Sequence, residues 1–346
     1  MVNKPKILVL GDGGWGTALA LLLDKKGYAV TLWSNFPDYA KYLSRYRENK
    51  KFLPGVKIPH SINITCNLQL VTCNLMVMAI PTQHARVVLQ KLQPQISDIP
   101  IVSVAKGLEM ETLKRPSEII KEVLGTKPVA VLSGPSHAEE VSRGLPASVV
   151  VASADKEFAR QVQQTFMTDY FRLYTHSDML GVELGGALKN VIAIAAGICK
   201  GLNLGDNVTS ALLTRGVLEM ARFGKVMGAQ PHTFFGLAGI GDLITTCISP
   251  HGRNRLVGLR LGGGETLKDI LGSMQMVAEG IWTTRAVVNL AKQYVVEMPI
   301  TKEVYGVLFR NKNPRRAVQD LMGRPPKSEM EDLKWLLSNH GQRHRS

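Results

Sequence analysis

Two groups of residues in this chain could do chemistry, and they stand far apart in sequence. The first is Lys189, set in Gly185-Gly186-Ala187-Leu188-Lys189-Asn190-Val191-Ile192-Ala193-Ile194-Ala195, a small and apolar run with one cation in its middle. A charge in such surroundings is costly unless something pairs with it. Lys189 is therefore either an ammonium that snorkels to water from a helix end or an acid/base group at the mouth of a cleft. The second group is Gly11-Asp12-Gly13-Gly14-Trp15-Gly16. It follows the β-rich run Lys6-Ile7-Leu8-Val9-Leu10 and precedes Thr17-Ala18-Leu19-Ala20-Leu21-Leu22-Leu23, a good helix former. In a strand–turn–helix unit, Gly11 makes the tight turn and Gly13 lets backbone approach a pyrophosphate. Gly16 lets the helix close on the strand. The unpaired N–H groups and the dipole of the helix start then face the phosphates. This placement predicts dinucleotide binding. A carboxylate beside a pyrophosphate would repel it, so Asp12 is expected to point away.

The strand after this turn, Tyr28-Ala29-Val30-Thr31-Leu32-Trp33, ends in Ser34-Asn35. NAD-specific domains carry an acid about 20 residues past the glycines, where it takes the ribose hydroxyl. Here no acid comes before Asp38, and the basic residues Lys41, Arg45 and Arg47 come only later. The sequence thus allows NADP as well as NAD and decides for neither.

Strand-like runs recur at 75–80, 101–104, 129–132 and 147–151, alternating with helix-like stretches, and predict a doubly wound parallel sheet. From about Ser177 long helical runs take over, at 178–200, 207–228, 232–247, 265–276, 280–295 and 299–310. The expected architecture is an α/β Rossmann-type N-terminal domain over residues 1–180, an all-α domain over 181–335 and a basic tail over 336–346. Ligands of doubly wound sheets bind beyond the carboxyl ends of the strands. Ile80-Pro81-Thr82, Lys106-Gly107-Leu108-Glu109 and Ser133-Gly134-Pro135-Ser136-His137-Ala138 are the loops expected there. The helical part adds Gly241-Asp242-Leu243-Ile244-Thr245-Thr246 and Gly252-Arg253-Asn254-Arg255, where an Arg-Asn pair at a helix start suits a phosphate.

Composition narrows the classes. The 346 residues are 45% hydrophobic and 6% aromatic, enough for two domains with aliphatic cores. No apolar run is expected to reach the roughly 20 residues of a membrane span, and the N-terminus shows no signal-peptide pattern, so a cytoplasmic protein is expected. Cys66, Cys73, Cys199 and Cys247 have no metal-ligand spacing, and no metal is expected. The formal charge of +14 favours anionic ligands, but without a nucleic-acid module it is read as a solvated face. His84, His137 and His251 could rival Lys189 as acid/base groups, and each is expected on a loop.

These motifs together carry a resemblance. The chain resembles the bacterial-type NAD(P)-dependent glycerol-3-phosphate dehydrogenases from Ile7 to about Gly323. The resemblance rests on the glycine turn, on Asn49-Lys50-Lys51-Phe52-Leu53-Pro54-Gly55, on Ala105-Lys106-Gly107-Leu108-Glu109 and on Leu188-Lys189-Asn190-Val191-Ile192-Ala193-Ile194. Gly241-Asp242-Leu243, Arg253-Asn254-Arg255, Val277-Ala278-Glu279-Gly280 and Glu297-Met298-Pro299-Ile300 extend it. The resemblance implies reversible reduction of dihydroxyacetone phosphate to sn-glycerol 3-phosphate, the backbone precursor of glycerophospholipids. It implies Lys189 as proton donor and acceptor. Lys106, Gly134, Ser136, Asn190, Asp242, Thr246, Gly252, Arg253 and Asn254 would stand around the substrate. Gly11, Gly13, Gly14, Trp15, Gly16, Asn35, Pro81, Lys106, Ala138, Arg253, Val277 and Glu279 would line NADP or NAD. Two positions depart from the family pattern: Gly252 replaces a usual Ser, and Asn35 replaces a frequent basic residue. A homodimer is the default expectation. The alternatives are a related two-domain reductase such as a hydroxyacid dehydrogenase, or a nucleotide-binding regulator that acts on nucleic acid without turnover.

Overall fold

The computed structural model describes residues 5–68, 72–92, 98–274 and 276–337. The chain divides into two compact units, one of Met1–Lys106 with Pro116–Met179 and one of Gly107–Arg115 with Leu180–Ser346. Residues 338–346, most of the expected basic tail, lie outside the described residues.

The first unit runs β1 (Lys6–Leu10), α1 (Gly14–Lys25), β2 (Ala29–Trp33), α2 (Pro37–Tyr46), β3 (Glu48–Asn49), β4 (Leu53–Lys57), β5 (Asn63–Thr65) and β6 (Leu75–Met78). It continues with α3 (Thr82–Leu92), β7 (Ile101–Ser103), α4 (Pro116–Leu124), β8 (Val129–Ser133), α5 (Ala138–Val141), β9 (Ala147–Ser153), α6 (Lys156–Phe166) and β10 (Phe171–His176). Eight strands form one sheet in the order β10-β9-β8-β7-β6-β1-β2-β5, and β3 and β4 make a separate hairpin. Helices cover both faces, so β1 reads as an unbroken apolar run that serves two cores. Ile7 and Val9 pack with Leu19, Leu22 and Leu23 of α1. Leu8 and Leu10 pack with Val88 and Leu89 of α3 and with Ile119 and Ile120 of α4.

The sheet corrects the all-parallel expectation in one place. β5, β2, β1, β6, β7 and β8 are parallel, but β8 pairs antiparallel with β9, and β10 follows β9 in parallel. A parallel crossover needs a connection of a dozen or more residues, usually built around a helix. The connection between β8 and β9 is long enough but holds only the four-residue α5, too short a helix to cross the sheet face, and the chain turns back instead.

The second unit is helical: α7 (Met179–Gly201), α8 (Asp206–Met227), α9 (Asp242–Ile248), α10 (Arg253–Gly262), α11 (Leu267–Ser273), α12 (Glu279–Gln293), α13 (Pro299–Phe309), α14 (Pro314–Met322) and α15 (Glu331–Leu337). The helix expected over 232–247 is broken. A 3₁₀ turn at Pro231–Phe235 and a π turn at Leu237–Gly241 precede α9, because Gly236, Gly239 and Gly241 resist one continuous helix. α7 is the core of this unit and is buried on every side from Gly181 to Cys199. It is long and apolar enough to cross a membrane, contrary to the reading that no run reaches that length, yet its whole apolar window lies inside the protein. α10 crosses it at backbone distance. A Cβ on Gly197 would lie 2.1 Å from the Arg255 carbonyl, and one on Gly258 would lie 2.0 Å from that of Ile194. That contact fixes the start of α10 against the helix that carries Lys189.

Candidate active site

In the α/β unit the glycine turn sits at the point where the strand order reverses. The chain leaves β1 for β2 and β5 on one side and returns to β6 on the other. Gly11 donates to the Trp33 carbonyl at 3.1 Å, and Ala79 donates to that of Leu10 at 2.8 Å, so the turn is held between the ends of β2 and β6. Gly11 has φ of 114°, and a Cβ there would meet the Ala79 carbonyl at 2.7 Å. A Cβ on Gly16 would lie 2.0 Å from the Gly11 carbonyl. These two glycines are required by the fold, whereas nothing lies within 4 Å of a Cβ on Gly13.

The first turn of α1 has no side-chain cap, and the buried Nε1 of Trp15 has no hydrogen-bond partner among the described residues. Open space at Gly13, uncapped N–H groups and a buried unpartnered donor together fit the pyrophosphate of a dinucleotide. Asn35 follows β2, Pro81 follows β6, Lys106 follows β7, and Gly134, Ser136 and Ala138 follow β8. All thus lie at the carboxyl ends of adjacent parallel strands. Lys106 Nζ donates to the Gly134 carbonyl at 3.1 Å, and Ser136 Oγ donates to the same oxygen at 2.9 Å.

Two features of this loop region were not legible as roles in the sequence. Asn49 is fully buried. Its Nδ2 donates to the Asp12 carbonyl at 2.6 Å and to Thr17 Oγ1 at 2.7 Å, while its Oδ1 accepts from Tyr39 at 2.7 Å. It ties the β3–β4 hairpin to the glycine turn, and the Asn-Lys-Lys-Phe-Leu-Pro-Gly run was its only signal. The Asp12 carboxylate accepts from Ser34 Oγ at 2.6 Å, just past β2. Burial pushes the Asp12 carboxyl above its usual range, against the pull of the Ser34 hydroxyl, its own backbone and the charge of Lys51.

In the helical unit Lys189 does not snorkel. It is 5% exposed, on a helix turn with apolar neighbours on both sides. Its Nζ is paired with the Asp242 carboxylate and donates to Thr246 Oγ1 at 2.8 Å. Asp242 opens α9, where a carboxylate suits the helix dipole, and Thr246 stands one turn on, its hydroxyl donating to the Asp242 carbonyl at 2.7 Å. One short helix thus supplies both partners of the ammonium. Cys247 lies beside them, its thiol pushed up to about 12 by burial, which keeps it a neutral packing group.

The Arg-Asn pair lies at the start of α10. Asn254 is buried, and its Oδ1 accepts from Gly280 N at 2.9 Å at the start of α12. A Cβ on Gly280 would lie 2.6 Å from the Asn190 carbonyl, so Asn190, Asn254 and Gly280 are packed together. Arg253 is exposed and donates to the Val277 carbonyl at 3.2 Å, one residue before the Ala278 that caps α12 and two before Glu279. Gly252 has a local reason for lacking a side chain: a Cβ there would come 2.8 Å from the Thr246 carbonyl. A buried ion pair, Arg115 Nη1 to Glu183 Oε2 at 2.5 Å, fastens the Gly107–Arg115 segment to α7. Among the described residues no cluster of His, Cys, Asp or Glu could hold a metal ion.

A glycine turn at the switch point of a doubly wound sheet, followed by a helical unit with a buried paired lysine, defines a two-domain nicotinamide-dependent dehydrogenase. The comparisons specify the family. Residues 6–159 match the family described as NAD-dependent glycerol-3-phosphate dehydrogenase N-terminus, and residues 178–319 match the corresponding C-terminus. The chain belongs to the NAD-dependent glycerol-3-phosphate dehydrogenase family. It is 49% identical over 335 residues to the glycerol-3-phosphate dehydrogenase (NAD(P)+) of Moorella thermoacetica, covering 96% of this chain and 100% of that protein. It is 49% identical to the protein of the same name from Fusobacterium nucleatum, covering 94% of this chain and 99% of that one. The crystal structure of glycerol-3-phosphate dehydrogenase from Coxiella burnetii superposes with a TM-score of 0.90 at 38% identity, covering 93% of this chain and 99% of that one.

Proposed function

We propose that this enzyme catalyses the reversible reduction of dihydroxyacetone phosphate to sn-glycerol 3-phosphate with NADH or NADPH, and so supplies the backbone of glycerophospholipids. The observation that carries the proposal is the Lys189 ammonium, buried in the middle of α7 and held by Asp242 and Thr246. A bound nicotinamide supplies the hydride that reduces the ketone carbon. The chain's own task is then to manage the proton and the charge at the ketone oxygen. Lys189 gives a proton to that oxygen in reduction and removes it from the hydroxyl in oxidation. Its positive charge stabilises the developing alkoxide in surroundings from which water is excluded. Asp242 and Thr246 hold Nζ in one place, which removes the rotamer freedom of a free lysine.

Lys106, Gly134, Ser136 and Asn190 belong to the substrate's surroundings in this reading. Arg253 and Asn254 take its phosphate at the start of α10, with Gly252 as the N-cap. Gly11, Gly13, Gly14, Trp15, Gly16, Asn35, Pro81, Ala138, Val277 and Glu279 line the dinucleotide, Lys106 and Arg253 beside them. We extend the proposal to a homodimer in the cytoplasm. Twofold dimers are the commonest oligomers, and all four cysteines are unpaired. Sedimentation and cell fractionation test these two points.

The direct test is a spectrophotometric assay with dihydroxyacetone phosphate and each reduced nicotinamide in turn. Turnover with both is expected, with kcat/KM values within about a thousandfold of each other, or roughly 4 kcal/mol. No turnover with either would overturn the assignment. Arg253→Ala tests the phosphate site. Loss of a charge-assisted hydrogen bond is expected to lower kcat/KM for dihydroxyacetone phosphate by about 1.5–3 kcal/mol and to spare unphosphorylated dihydroxyacetone. Equal losses for both would move Arg253 out of phosphate binding.

A further inference from the structure

NAD-specific dinucleotide domains hold an acid at the end of the second strand, about 20 residues past the glycines, where it accepts from the ribose 2′-hydroxyl and repels a 2′-phosphate. In this chain that position is Ser34-Asn35 and carries no charge. A carboxylate reaches it by another route. Asp12, inside the glycine turn, accepts from the Ser34 hydroxyl at 2.6 Å across 22 residues of sequence. That separation is the length of a typical short hydrogen bond from a hydroxyl to an ionised oxygen. Ser34 directly follows Trp33, the last residue of β2, and its own N–H is fixed on the Thr65 carbonyl at 3.0 Å. Asp12 is held as firmly, because its carbonyl accepts from Asn49 at 2.6 Å and from Thr17 Oγ1 at 3.3 Å. Asp12 is 9% exposed, so solvent screens its charge poorly. The nearby groups that act on it are Lys51, whose cation offsets part of its charge, and the Tyr39 hydroxyl behind Asn49.

We infer that Asp12, through its bond to Ser34, is the residue that sets discrimination between NADH and NADPH, by placing a fixed negative charge at the ribose end of the dinucleotide site. The acid familiar from the strand end has been moved into the turn, and Ser34 relays its position to the end of β2. Asp12 touches no reacting atom and acts on specificity alone. The inference rests on the proposed dinucleotide site, and its test separates the two.

The probes are adenosine 5′-monophosphate and adenosine 2′,5′-bisphosphate, titrated against the whole enzyme by calorimetry, alongside kcat/KM for NADH and NADPH. Asp12→Asn keeps the shape and an oxygen that can accept from Ser34 while removing the charge. It is expected to improve binding of the 2′-phosphorylated probe relative to the plain one by on the order of tenfold, with the NADPH/NADH ratio moving the same way. A second variant, Asp12→Ser, also removes the charge, and the affinity ratio of the 2′-phosphorylated to the plain probe should rise in it as well. A ratio unmoved by both substitutions overturns the inference. Failure of the wild type to bind either probe would instead remove the dinucleotide site itself.

Discussion

In the α/β unit, the polar atoms of the glycine turn are held by backbone and by neutral side chains. In the helical unit they are satisfied by buried charges. The glycine turn is held by backbone bonds to Trp33 and by the Asn49 amide, and even its one acid, Asp12, rests on a hydroxyl. The helical unit instead buries Lys189 against Asp242 and Glu183 against Arg115, and sets Glu219 as the cap of α13. The difference follows from the elements. The carboxyl ends of parallel strands leave backbone groups pointing at the ligand, so the site can be built from N–H and C=O with glycine wherever a Cβ would intrude. A helix bonds its own backbone internally, so a site inside a helical bundle must be made from side chains. The proton transfer that we propose accordingly falls to the helical unit.

Substitutions that leave a buried charge alone break this comparison most severely. Asp242→Ala strands the Lys189 ammonium in the core of the helical unit. We expect a loss of about 3–5 kcal/mol in unfolding free energy, read from urea denaturation, together with loss of turnover. A loss below about 1 kcal/mol would mean that water reaches Nζ and that the pair is not a buried one.

Glu219 sharpens the same point. Its two oxygens accept from Ile300 N at 2.8 Å, from Thr301 N at 2.8 Å and from Thr301 Oγ1 at 2.7 Å. Glu219→Gln turns one of these acceptors into a donor facing a donor and should cost about 1–3 kcal/mol. Burial pushes this carboxyl above its ordinary 4.5 in spite of its donors. Urea midpoints of the wild type and Glu219→Gln read this cost, and equal midpoints would contradict it.

The smallest effect belongs to the α/β unit. Asn49→Ala removes two neutral hydrogen bonds from the glycine turn and should cost about 1–2 kcal/mol of stability, with weaker NADH binding by a similar amount. Unchanged NADH affinity would show that the hairpin does not support the turn.

The same contrast explains what could be read in advance. The glycine turn was legible because its determinants are local: an apolar run, four glycines and a helix former in sequence order. Lys189 was legible as an anomaly, one cation among apolar residues, but its partners were not. Asp242 lies 53 residues on and Thr246 lies 57 on, and only the crossing of α7 and α9 brings them to Nζ. Asn49 and Ser34 carry no anomaly at all, since a polar residue after a strand is ordinary until its partner is known. α10 was expected only as a helix start at Arg253, and α14 escaped notice because it is short and basic and shows no long apolar stripe. The reversal of β9 depended on the shortness of α5, which no strand pattern reveals.

The central claim is that the buried ammonium of Lys189 is the proton donor, and Lys189→Met tests it most directly. Met keeps the length and apolar stem of Lys and removes its charge, so packing within α7 should persist. It takes the Lys189 ammonium away from the buried Asp242 carboxylate, so some stability is expected to be lost, and a melting curve checks that the variant stays folded. Steady-state kinetics with dihydroxyacetone phosphate, run beside an NADH titration, should show kcat reduced by about 10²–10⁴-fold or more with cofactor affinity retained. A folded, NADH-binding Lys189→Met enzyme that turns over at near wild-type kcat would contradict the account.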